Sequence, residues 1–155
     1  MFSDKNLPEP LFITEIEKEV QLVIIDEKDG IFFDETFTKE KRIRKYVYQM
    51  LIESKKFLPI GVYFKVYEAY RPLEAQKKLW DEVVKEQKKH HPDLAETSEE
   101  CLAICYTYCA NPYRQGSGHQ SAGAIDITLC DEKGNDFFMG SKIREFNEKF
   151  IVTSD

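Results

Sequence analysis

The ten residues Ser117-Gly-His119-Gln-Ser-Ala-Gly123-Ala-Ile-Asp126 constrain this chain more than any other stretch. They set an imidazole and a carboxylate seven positions apart, on either side of a glycine, where a loop enters the apolar run Ala124–Leu129. Ile125, Ile127 and Leu129 alternate with Ala124, Asp126 and Thr128, so a strand here turns Asp126 to the face opposite the isoleucines. Such a strand edge presents one nitrogen and one oxygen to a single divalent metal ion. Gly123 is expected to make the tight turn between them, because glycine alone takes positive φ cheaply. Ser117 stands two residues before the histidine, where its hydroxyl can donate to a ligand or substrate oxygen. A metal hydrolase uses three protein ligands and keeps a fourth position open for water. His119 and Asp126 supply two.

The rest of the sequence reads as a frame for that segment. Residues 1–12, with Pro8 and Pro10, suggest an extended arm. Glu19–Asp26 is β-branched and ends in the charged turn Glu27–Gly30, which predicts a strand. Thr38 is a candidate N-cap for a first helix ending before Pro59, with Ile43, Tyr46, Val47, Met50 and Leu51 on its apolar face. Val62–Tyr70, rich in aromatic and β-branched residues, is the clearest strand. Pro72 suits the first turn of a helix running to about His90, lined by Ala75, Leu79 and Val83 beside Gln76, Trp80 and Val84. Thr97-Ser-Glu-Glu100 has the spacing of a capping box for a helix to about Ala110. Asn111–Gly118 reads as a loop, Asp131–Asn135 as a turn and Ser141–Phe150 as a short closing helix. The pattern is α+β: a small antiparallel or mixed sheet with helices packed on one side.

A chain of 155 residues reads as a single domain, 1–155. Its net charge of −6 argues against a nucleic-acid surface, and the basic run Lys39–Lys45 is interleaved with apolar residues like a solvated helix face. No stretch is long and apolar enough to span a membrane, and the first residues lack a signal pattern, so the expected setting is the cytoplasm. Four cysteines fit that setting as free thiols. Cys101, Cys105 and Cys109 recur every four residues, a helical stripe better read as small buried side chains than as ligands.

Ser-x-His-x-x-Gly-x-Ala-x-Asp, as it stands at 117–126, resembles the metal motif of the D-alanyl-D-alanine dipeptidases and related zinc D,D- and L,D-carboxypeptidases. Glu68-Ala-Tyr70-Arg71-Pro72 resembles the Tyr-Arg-Pro segment of the dipeptidases. Asp126-Ile-Thr-Leu129 and Gly134 with Phe138-Met139-Gly140 resemble two further stretches. The resemblance runs from about Val62 to Gly140. It implies one zinc ion held by His119 and Asp126, with Arg71 stabilising the negative charge of a tetrahedral intermediate. It also implies that Ser117 and Tyr70 lie beside a D-Ala-D-Ala-type dipeptide released from cell walls.

Two departures qualify the implied activity. The family's later Glu-x-x-His, source of the general base and third ligand, has no counterpart after His119. His90 and His91, the other two histidines, fall at the far end of the helix that begins at Pro72 and read as solvated helix-terminus residues. Where the family carries an aspartate for the dipeptide's amino group this sequence has Arg144, with Glu145 next as a substitute one place along. The expectation is a C-terminally incomplete dipeptidase, nearly inactive by itself and completed by a further fragment or by self-association. The other readings are a non-catalytic module that binds peptide or peptidoglycan fragments, and a structural or interaction protein with an exposed sheet edge that pairs with another chain.

Overall fold

The computed structural model describes residues 21–146. The proposed arm at 1–12 and the first residues of the strand expected from Glu19 lie outside them. By internal contacts the described residues divide into two compact units, 21–72 with 118–137 and 73–117 with 138–146.

The first unit holds the sheets. β1 (Leu22–Ile24) pairs antiparallel with β3 (Arg42–Arg44). β2 (Ile31–Phe33) runs parallel to β4 (Tyr63–Glu68), which pairs antiparallel with β5 (Asp126–Cys130) in a sheet of order β2-β4-β5. Helix α1 (Lys45–Ser54) follows β3 directly. Ile25, Ile31, Phe33, Ile43, Tyr48, Leu51, Val66 and Ala69 form the core. The secondary structure is α+β, as the alternation of periods predicts.

The first helix begins six residues later than an N-cap at Thr38 suggests, with Arg44 at that position. The Thr38 hydroxyl instead accepts the Glu40 N–H at 3.0 Å, and the Glu40 carboxylate accepts the Arg42 N–H at 3.1 Å. These local bonds hold the backbone out of the helix, and Arg42–Arg44 joins β1 with Ile43 wholly buried. The buried face of α1 is accordingly Tyr48 and Leu51, while Tyr46 and Met50 are exposed. The Tyr48 hydroxyl donates to Asp29 at 2.6 Å and accepts from the Asp26 N–H at 3.0 Å. Burial, then the Asp29 carboxylate, pushes its pKa up to about 12.

One extra residue in β4 shifts its register against β5 between Val66 and Glu68, so that Glu68 lies opposite Asp126. A bulge of this kind re-aims the side chains that follow it. Beyond β5, the Asp131 carboxylate accepts the N–H groups of Lys133 and Asn135, and Gly134 turns the chain back with φ 78°. Lys65 bridges Asp34 at 3.0 Å and Asp136 at 2.9 Å.

The second unit is helical. α2 (Leu73–His90) buries Gln76, Leu79, Trp80, Val83 and Gln87. Leu79, Trp80 and Val83 pack on Cys101, Cys105 and Cys109, carried by α3 (Glu99–Tyr106) and the turn after it. The cysteine stripe is therefore core, and all four cysteines are free and buried. The cap of α3 is Ser98, whose hydroxyl accepts the Cys101 N–H at 3.1 Å, one residue beyond the expected Thr97. Residues 141–146 make a turn rather than the start of a helix, with Arg144 at φ 58°; 147–150 lie outside the described residues.

Candidate metal centre

The site grows from the end of β4 and the loop that leads into β5. Two carbonyls fold that loop. Gly118 O accepts the N–H groups of Gly123 and Ala124 at 3.0 and 3.1 Å, and His119 O accepts those of Ala122 and Arg71, both at 3.0 Å. β3 secures it from the other side: the Arg44 N–H donates to Ala122 O at 3.2 Å and its Nε to Ser121 O at 2.6 Å. The loop is thus bonded to the residues just past β4 and to β3.

The residue that takes positive φ here is Ala122, at 52°, and not Gly123. The reason for glycine at 123 is space. A Cβ there would meet the Ser121 hydroxyl at 3.1 Å and the Arg44 guanidinium at 3.7 Å. Gly118 is tighter still, since a Cβ would come within 2.9 Å of the Ala124 methyl. A non-glycine residue in the left-handed region costs roughly 1–2 kcal/mol, which the surrounding backbone bonds offset.

His119 and Asp126 converge. The imidazole Nε2 lies 3.5 Å from Asp126 Oδ1. Its Nδ1 lies 2.9 Å from the carbonyl oxygen of Ala69. A carbonyl only accepts, so Nδ1 carries a proton and Nε2 is the ring nitrogen directed at the carboxylate. Tetrahedral zinc, with bonds of about 2.0–2.2 Å to nitrogen and oxygen, sets such ligand atoms about 3.3–3.5 Å apart. The pair has the separation, the tautomer and the backbone brace of two ligands to one ion.

The other oxygen of Asp126, Oδ2, lies 3.3 Å from Arg71 Nη2, and the same nitrogen donates to Glu68 Oε2 at 2.6 Å. Glu68 and Arg71 are both buried. Two carboxylates opposite one another across a β ladder repel; a guanidinium between them removes the repulsion and leaves the trio one negative charge, which suits a divalent cation. Glu68 was missed as a site residue by sequence reasoning. The available signal was a carboxylate inside an aromatic strand, three residues before an arginine.

The remaining candidates are placed differently. The Tyr70 ring is buried, with the Arg42 guanidinium 4.5 Å over its centroid. Ser117 and Glu145 belong to the helical unit, where the Glu145 carboxylate accepts the Lys142 N–H at 3.0 Å. His90 and His91 stand at the C-terminal end of α2, His90 3.5 Å from Glu86. Among the described residues no group of three histidine, cysteine or acidic side chains is gathered to hold a metal ion.

No protein-family model matches the sequence. The chain is 32% identical over 89 residues to the D-alanyl-D-alanine dipeptidase of Escherichia coli (strain K12), a match that covers 57% of this chain and 35% of that enzyme. The chain therefore spans about a third of the length of this curated relative. Its fold is similar to that of a zinc-bound mutant of VanY, the vancomycin-resistance D,D-pentapeptidase of a VanB-type cassette. That likeness has a TM-score of 0.50 at 22% identity, over 77% of this chain and 58% of VanY. On its motif residues and on this curated relative, the chain is similar in sequence to a D-alanyl-D-alanine dipeptidase, and in fold to a zinc-bound D,D-pentapeptidase.

Proposed function

We propose that the chain carries the histidine–aspartate part of a zinc site for hydrolysis of D-Ala-D-Ala-type peptides. The observation that supports this most is the 3.5 Å approach of His119 Nε2 to Asp126 Oδ1, with Nδ1 committed to the Ala69 carbonyl. When bound, zinc polarises a scissile carbonyl and lowers the pKa of its water to about 7. The protein's own contribution is to hold the two ligands and to supply cationic charge. Arg71 lies against Asp126, where a guanidinium can donate to an oxyanion forming beside the metal; one such donor is typically worth about 2.7–4 kcal/mol. Ser117, Tyr70 and Glu145 are the candidates for contacts with the dipeptide. The third ligand and the base come from a further segment or a second copy of the chain. The four free thiols suit a reducing compartment, and the cytoplasm is the setting proposed.

The test is metal content and turnover of the purified chain. Zinc binding is expected at one ion per completed site, lost in both His119→Ala and Asp126→Ala. D-Ala-D-Ala hydrolysis by the chain alone is expected to fall at least ~10²–10⁴-fold below that of a site with its base in place. Zinc retained after both substitutions would refute the ligand assignment. Full turnover by the isolated chain would refute the need for further residues. Dipeptide binding unaffected by zinc would favour the non-catalytic module.

A further inference from the structure

Glu68 is buried at 3% exposure, at the register position opposite Asp126. Its Oε2 receives Arg71 Nη2 at 2.6 Å, whereas the same nitrogen stands 3.3 Å from Asp126 Oδ2. The guanidinium thus leans toward Glu68. Asp126 has two oxygens to distribute: Oδ2 lies 3.3 Å from Arg71 Nη2, and Oδ1 lies 3.5 Å from His119 Nε2.

We infer that Glu68 is a positioning residue: it draws Arg71 back from Asp126, so that the carboxylate is steadied through Oδ2 while Oδ1 stays directed at His119 Nε2. The inference rests on the zinc reading above, but the geometry it concerns exists in the metal-free chain. Two consequences follow from the charges. With Glu68 neutralised, Arg71 moves onto Asp126 and competes with a cation for it. With Glu68 and Arg71 both neutralised, the competition disappears. A carboxylate that merely filled space would produce neither effect, since glutamine fills the same space.

The experiment compares wild type with Glu68→Gln, Arg71→Gln, the double variant and Glu68→Asp, each checked for folding by its backbone NMR spectrum. In the metal-free chain, Glu68→Gln is expected to move the Asp126 carboxyl carbon and Arg71 guanidinium resonances. Glu68→Asp, which keeps the charge, should leave them near their wild-type positions. With zinc, monitored by calorimetry and by the His119 ring nitrogens, Glu68→Gln should weaken binding about 10-fold, at the lower end of what supporting residues of metal ligands contribute. That loss should vanish when Arg71→Gln is already present. Unmoved Asp126 and Arg71 resonances in Glu68→Gln, an equal shift in Glu68→Asp, or the same zinc loss in the Arg71→Gln background would each overturn the inference. A wild-type chain that binds no zinc would overturn the metal site instead, and the metal-free resonances would still decide the role of Glu68.

Discussion

Replacing Arg71 by alanine leaves the buried Glu68 carboxylate without the guanidinium 2.6 Å away. Breaking a buried pair in this way costs about 3–5 kcal/mol, because the surviving charge stays desolvated. Urea unfolding of Arg71→Ala should show a loss of that order. Lys41→Ala, which removes the partner of the exposed Glu35, should cost less than about 1 kcal/mol. A similar loss in both would mean that Arg71 is not the counter-charge of a buried acid. At this scale the sequence was legible where chemistry is written in residue type and spacing: His119 and Asp126 are separated by a loop whose backbone bonds close it on itself. It was opaque where an effect depends on a distant chain segment. Nothing near Gly123 announces that Arg44 of β3 ties the loop down through the Ser121 carbonyl, or that Ala122 takes the left-handed turn in place of the glycine.

Capping gives a sharp test among the elements. Ser98→Ala removes the hydroxyl that accepts the Cys101 N–H and should cost about 1 kcal/mol in thermal or denaturant unfolding. Thr97→Ala, one residue earlier, should stay within about 0.5 kcal/mol. The reverse order would restore Thr97 as the cap. α2 and β4 were legible because each carries its period over many residues, eighteen in α2 and six in β4. β2 and β3 were not. Each is three residues long, too short to display alternation, and each exists because a partner strand elsewhere in the chain supplies the hydrogen bonds. The predicted face of α1 held at Val47 and Leu51 but not at Tyr46 and Met50: Ile43 is buried as a strand residue, and carrying its phase into the helix points those two at solvent.

For the molecule taken whole, stability should decline on the alkaline side. Burial raises the Cys105 thiol, the Tyr48 phenol and the Tyr67 phenol each to about 12, with neighbouring carboxylates adding to the effect on the tyrosines. The folded chain therefore holds protons that the unfolded chain releases first. The stabilisation is whole below the ordinary pKa values of 9.0 for cysteine and 10.0 for tyrosine. It is lost as pH climbs toward 12. Melting temperature should drop steadily between pH 9 and 12, and a flat profile there would contradict the buried placement of these groups. At pH 8, thiol reagents should label Cys101, Cys105 and Cys109 only as fast as the helical unit opens, because burial denies access to all three and, at Cys105, also disfavours the thiolate. Labelling at the rate of a free thiol would contradict that core. The α+β character was readable because helix and strand periods alternate along the chain. The division into two compact units was not, since each is assembled from segments far apart in sequence.

The oxygen that steers the His119 ring belongs to the main chain at Ala69. No exchange of side chain at position 69 can delete it. Substitution can erase the imidazole outright, yet a rerouted polypeptide path beyond β4 is what would turn its second nitrogen aside; the direction of this side chain is inherited with the course of the backbone.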